Sequence, residues 1–293
     1  MKKILIAMLV TATMVLTGCS SKANNDSKDT PDIIASTNVY GNIAQTIAGD
    51  HLKVQSLIND PNQDPHEFQA SSQDKLAISK AKLVIANGSG YDDFADQMVN
   101  SVSDKKPKMV KVSDQYQGKE DNEHYWYNMA VMDKLVDKLE AEFTEIDPAH
   151  TEDFQNNAKK LKAQIAKVHE TEQQIKKTHS GQGVLITEPV PLYMLEDAGL
   201  VNKTPEDFSK AVENGSEVPA QVLNQTLNLA NPKTVKLLAY NSQTMDDQSD
   251  KLKAKADETK LPAIGFTETL PEGKDYGTWM QENVDSIQKA LGN

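Results

Sequence analysis

The sequence predicts an α/β protein of two lobes, each a parallel sheet flanked by helices, joined by one long rigid helix. Two observations carry that prediction. Short β-rich runs alternate with helical patterns in both halves of the chain, and such alternation implies parallel sheets. Between the halves, residues 148–177 contain no glycine and no internal proline, so a single helix can run the whole length.

In the first half the β-rich runs are Ile33–Ser36, Val54–Ile58, Leu83–Asn87 and Met109–Val112, with helical patterns at Tyr40–Ala48, Ser72–Ala81 and Asn128–Phe143. In the central segment Phe154, Leu161, Ile165, Val168 and Ile175 recur at intervals of 7, 4, 3 and 7, which is one face of a helix. Asp147-Pro148 suits its start and Ser180-Gly181 its stop. About 28 residues at about 1.5 Å each make a rod near 40 Å. The second half resumes with strands at Val184–Thr187, Val235–Tyr240 and Ala263–Thr267, and closes on a helix at Tyr276–Leu291. The expected division is an N-terminal lobe at 32–147, a linking helix at 148–178 and a C-terminal lobe at 179–293.

Before the first lobe, Met1-Lys2-Lys3 precedes an apolar run from Ile4 to Leu16 and then Thr17-Gly18-Cys19. A basic start, an apolar stretch and small residues describe a secretory signal at residues 1–18. The run is shorter than the about 20 residues a membrane span needs. Leu16-Thr17-Gly18-Cys19 resembles the bacterial lipobox, which implies cleavage before Cys19 and a lipid on its sulfur. Cys19 is the single cysteine, so no internal disulfide can form. The polar residues that follow, up to 31, suit a flexible tether to the outer face of the cell membrane.

The net charge is −12 and there is no arginine. Such a chain repels nucleic-acid backbones and lacks their usual bidentate reader, so no nucleic-acid partner is expected. Six histidines are present, and two sit in loops beside strand or helix ends. His66 lies in Asp64-Pro65-His66-Glu67-Phe68, after the strand ending at Ile58. His124 lies in Glu123-His124-Tyr125-Trp126, before the helix starting near Asn128. His51, His150, His169 and His179 read as structural or solvated. Glu188 and Glu268 each follow a strand in a Thr-Glu step. Open α/β sheets place ligands at these positions. Imidazole and carboxylate together suit Mn²⁺, Fe²⁺ or Zn²⁺. Spread over roughly 200 residues, however, the set has no diagnostic spacing.

The residues resemble the manganese and zinc solute-binding lipoproteins of bacterial ABC importers. Asp64-Pro65-His66-Glu67-Phe68 resembles that family's first ligand loop, and His124-Tyr125-Trp126 its second. Residues 32–50 resemble the opening strand and helix, and 261–291 the closing strand, acidic loop and helix. The resemblance implies that His66, His124, Glu188 and Glu268 ligate a metal between two lobes. It departs at Glu123, where the family usually has proline, and at Glu268, where it more often has aspartate. It also implies a membrane permease as partner, and a monomer is expected. The cargo is Mn²⁺ or Zn²⁺: two carboxylates and a histidine-free Gln115–Glu123 loop favour manganese, whereas intrinsic affinity favours zinc. Three other readings stand beside this one. They are a secreted metallohydrolase using His66 and His124, a surface adhesin without a ligand, and an organic-solute binder with Tyr125, Trp126 and Tyr127 lining its pocket.

Overall fold

The strands of the first sheet are β1 (Ile33–Thr37), β2 (Val54–Ile58), β3 (Leu83–Ala86) and β4 (Lys108–Lys111), in the order β2-β1-β3-β4. Those of the second are β5 (Gly183–Ile186), β6 (Val201–Asn202), β7 (Leu238–Asn241) and β8 (Ala263–Phe266), in the order β6-β5-β7-β8. All pairings are parallel, and the two sheets have the same topology. This computed structural model describes residues 30–60, 63, 68–118 and 122–292. The signal peptide, Cys19 and nearly all of the tether lie outside the described residues. Among the described residues no helix is long and apolar enough to cross a membrane.

The period-2 pattern sends alternate side chains to opposite faces. Ile33, Ala35, Leu83 and Ile85 join the large central core, while Ile34 and Val84 pack with Ile78, Met98 and Val99 on the far face. The second sheet repeats this: Val184, Ile186 and Ala239 face the central core, and Leu185 and Leu238 pack with Phe208 and Leu252. Both faces of both sheets are therefore covered, as parallel sheets require.

The helices are α1 (Asn38–Ala48), α2 (Ser72–Lys80), α3 (Asp93–Asn100), α4 (Met129–Ile146), α5 (Thr151–His179), α6 (Leu192–Asp197), α7 (Glu206–Glu213), α8 (Ala220–Leu229), α9 (Asp247–Thr259) and α10 (Tyr276–Ala290). Helix α5 is the expected spine, with 29 residues. Its buried face includes Phe154, Ala158, Leu161, Ile165, Val168 and Ile175, and it packs on α1, α4, α6 and α10. Glu152 and Asp153 in its first turn and Lys176, Lys177 and His179 in its last complement the helix dipole.

Two boundaries and one short strand differ from the sequence reading. Pro148 opens a 3-10 turn, Pro148–His150, and the α-helix begins only at Thr151. His150 is held out of helical geometry, with its Nδ1 2.7 Å from Asp147 and its ring stacked on His51 at 3.8 Å. The run beginning at Val235 pairs as a strand only from Leu238, although Val235 and Leu237 are buried. Strand β6 has two residues, too few to show any period.

Candidate metal centre

His124, Glu188 and Glu268 all stand beyond carboxyl ends of strands, on the edge where open α/β sheets take ligands. Glu188 follows β5, Glu268 follows β8, and His124 lies in the connection between β4 and α4. His66 lies outside the described residues. Its loop leaves β2 after Ile58, which pairs with Thr37 at the carboxyl end of β1. Phe68, just beyond, packs its ring on Phe94 at 4.6 Å.

His124 is fully buried. Its Nδ1 lies 2.7 Å from Asn122 Oδ1. Asn122 is oriented by donating Nδ2 to Pro189 O, and the same Oδ1 also accepts the His124 backbone N–H. Because Oδ1 can only accept, Nδ1 carries the proton and Nε2 presents its lone pair. Nε2 lies 3.9 Å from Glu268 Oε2. That is too long for a hydrogen bond, and somewhat wider than the roughly 3.3 Å between two donors each about 2 Å from a tetrahedral ion.

Glu188 and Glu268 are 5% and 1% exposed. One amide serves both: Asn241 Nδ2 donates to Glu268 Oε1 at 2.7 Å and to Glu188 Oε2 at 3.2 Å. Thr244 donates to Glu188 Oε1 at 2.9 Å, and Tyr91 donates to Glu268 Oε2 at 3.4 Å. Gln243 Oε1 accepts the backbone N–H groups of Glu268 and Thr269, fixing the turn that presents Glu268. Burial pushes the Glu188 carboxyl up to about 7, and the nearby Glu268 charge adds to the rise. The Asn241 and Thr244 hydrogen bonds oppose it. Burial, and then the Glu268 charge, also hold the Tyr91 phenol well above its ordinary value, so it remains a donor.

Tyr91 is delivered by a tight loop in which Gly88, Ser89 and Gly90 all take positive φ. A side chain at Gly88 would meet Ser113 Oγ at 2.3 Å, so both conformation and space demand glycine there. Asp92 closes the loop by accepting the backbone N–H groups of Asn87 and Gly88. Asn87 then donates to Glu123 O, tying the end of β3 to the residue before His124.

Direct hydrogen bonds between the lobes surround the site. Tyr193 donates to Asn122 O at 2.7 Å and Tyr127 to Thr267 O at 2.9 Å. Asn38 makes a reciprocal pair with the Leu270 backbone. Tyr125, Trp126 and Tyr127 are buried among Tyr40, Tyr91, Tyr116, Tyr193, Phe266 and Trp279. They are packing at the lobe junction and not the wall of an open solute pocket.

The sequence reading missed Asn122, Asn241, Gln243, Thr244 and Tyr91. Asn241 has a counterpart in the first lobe. It ends β7, the third strand of the second sheet in spatial order, much as Asn87 follows β3, the third strand of the first. Of the histidines read as structural or solvated, His51 and His150 fit that reading, beside Asp153 and Asp147. His169 does not lie among solvent alone, because its Nδ1 is 3.1 Å from the buried Glu172.

The fold and site define a two-lobed α/β protein with an imidazole and two carboxylates converging at the lobe junction. A family model described as zinc-uptake complex component A, periplasmic (ZnuA), matches residues 33–290. The chain belongs to this family, the substrate-binding proteins of metal ABC transporters. It is similar to the manganese-binding lipoprotein MntA of Bacillus subtilis, 28% identical over 174 residues, which are 56% of each chain. It is 23% identical to the manganese ABC transporter substrate-binding lipoprotein PsaA of Streptococcus pneumoniae over 99% of each. A solved structure, described as the crystal structure of ZnuA, superposes with a TM-score of 0.73 at 18% identity. That match covers 90% of this chain and 100% of the other. These relatives are transport binding proteins, not enzymes.

Proposed function

We propose that this protein captures a divalent transition metal between its lobes and delivers it to a membrane importer, with no chemical step. His124 Nε2 and the Glu188 and Glu268 carboxylates are the proposed ligands, with His66 supplying the fourth from its loop after β2. The single observation that carries the reading is the placement of two buried carboxylates on one Asn241 amide, with an imidazole nitrogen 3.9 Å from the nearer one. Two buried acids without a cation repel each other and cost desolvation. A divalent ion cancels both charges.

Manganese is the favoured cargo, because two carboxylates make a hard donor set; the family description and the names of the relatives keep zinc beside it. The interlobe hydrogen bonds and the long α5 support a small rearrangement on release rather than wide hinge closure. The proposed setting is the outer face of the cell membrane, anchored by lipid on Cys19, with a permease as partner and the protein monomeric. Elemental analysis of protein isolated without chelator tests the cargo. Manganese or zinc at about one equivalent in the interlobe site, absent from His66→Ala and His124→Ala, is expected. A wild type that binds neither ion more tightly than millimolar contradicts the proposal.

A further inference from the structure

Away from the lobe junction, α5 carries a second group of potential ligands. His169 and Glu172 are three residues apart on the helix and share a face. Asp197, the last residue of α6, lies opposite them. The imidazole and the two carboxylates each offer a ligand atom, and these atoms all lie within 4.8 Å of one another.

The observation that points to a ligand is the state of Glu172. Its side chain is completely buried. One oxygen, Oε2, meets His169 Nδ1 at 3.1 Å, while Oε1 is enclosed and has no hydrogen-bond partner among the described residues. Buried polar atoms are nearly always satisfied, and one left over calls for an explanation. Tyr276, whose phenol feels the Glu172 charge, gives its hydroxyl to Trp126 O instead. Burial, and then Asp197, push the Glu172 carboxyl upward. Burial also raises the Asp197 carboxyl, opposed by His169 and then by Lys176.

We infer that His169, Glu172 and Asp197 form a second divalent-cation site at the junction of α5 and α6. One imidazole and two carboxylates suit a first-row transition ion such as Zn²⁺, with water completing the shell. His169 is half exposed, which gives the ion a route in from solvent. Gln173 already ties the end of α6 to α5 by donating to Asp197 O at 3.3 Å. A bound ion would add a clamp between the linking helix and the C-terminal lobe. The site shares no ligand with the interlobe centre and does not depend on the function proposed for that centre.

Zn²⁺ titration of the chelator-stripped full chain tests this, with bound zinc counted by equilibrium dialysis. The background is the His124→Ala/Glu268→Ala variant, in which two of the four proposed interlobe ligands are removed. That variant is expected to retain one equivalent, and adding His169→Ala or Asp197→Asn should abolish it. Zn²⁺ should also raise the melting temperature of the background variant, but not after either addition. His169 and Asp197 both reach the surface, so circular dichroism is expected to report an unchanged fold. A background variant that binds no zinc overturns the inference, as does one whose zinc survives both additions.

Discussion

Two buried glutamates are raised by burial to different degrees, and the contrast identifies what prepares a carboxylate to take a metal. Glu188, at the lobe junction, receives hydrogen bonds from Asn241 and Thr244, and burial raises it only to about 7. Glu172, on α5, has one oxygen without a donor and is pushed up to about 9 by burial, with Asp197 adding to the rise. Both are nearly or fully excluded from solvent. Burial alone thus does not set their readiness; the neutral donors around them do. The interlobe acid is balanced near neutral pH, where a cation has only a marginal proton to displace. The α5 acid holds its proton more firmly.

The largest expected effect breaks the α5 side of this comparison. Between its ordinary value of 4.5 and about 9, Glu172 is protonated in the folded chain and ionised in the unfolded one. The folded state then binds more protons, so stability falls as pH rises through that window. In urea denaturation of metal-free protein, Glu172→Gln is expected to match the wild type near pH 5. It should exceed it by a few kcal/mol at pH 8, on the order of the linked pKa difference.

A smaller effect should follow at the interlobe centre from removing the shared amide. Asn241→Ala takes the common donor from Glu188 and Glu268, and metal affinity should fall by about 10–100-fold, as for other outer-shell partners. Isothermal titration with Mn²⁺ in a buffer of fixed pH measures it. The wild type sharpens the same point through its pH dependence. Metal binding needs ionised Glu188, so affinity should weaken by about tenfold per unit as pH drops below 7, until other ligands also protonate. The smallest effect concerns the frame. Tyr193→Phe deletes the hydroxyl that Asn122 O accepts. It is expected to cost about 1 kcal/mol in unfolding and to leave the metal stoichiometry unchanged.

Much of the fold was legible because its cause is local. Ile33–Ile34–Ala35 and Leu83–Val84–Ile85 are apolar on both faces, as covered parallel strands must be, and Phe154 to Ile175 mark one stripe of α5. Glu188 and Glu268 were visible because strand ends are the ligand edge of such sheets. Asn241 was not, since its meaning lies in two partners 53 and 27 residues away in sequence. Nor was Asn122, which matters through the proton it fixes on His124 and the carbonyl of Pro189. His169 seemed ordinary among the charges of α5, because Asp197 comes to it only when α6 packs against that helix. Pro148 promised a helix start and instead made a 3-10 turn, because His150 is bonded back to Asp147.

Anomalous diffraction from crystals of the full chain grown with Mn²⁺ would test the central claim most directly. The account predicts a peak between the lobes, about 2.0–2.3 Å from His124 Nε2 and from an oxygen of both Glu188 and Glu268. Well-ordered crystals with Asn241 still bridging the two carboxylates and no peak between them and His124 would contradict it.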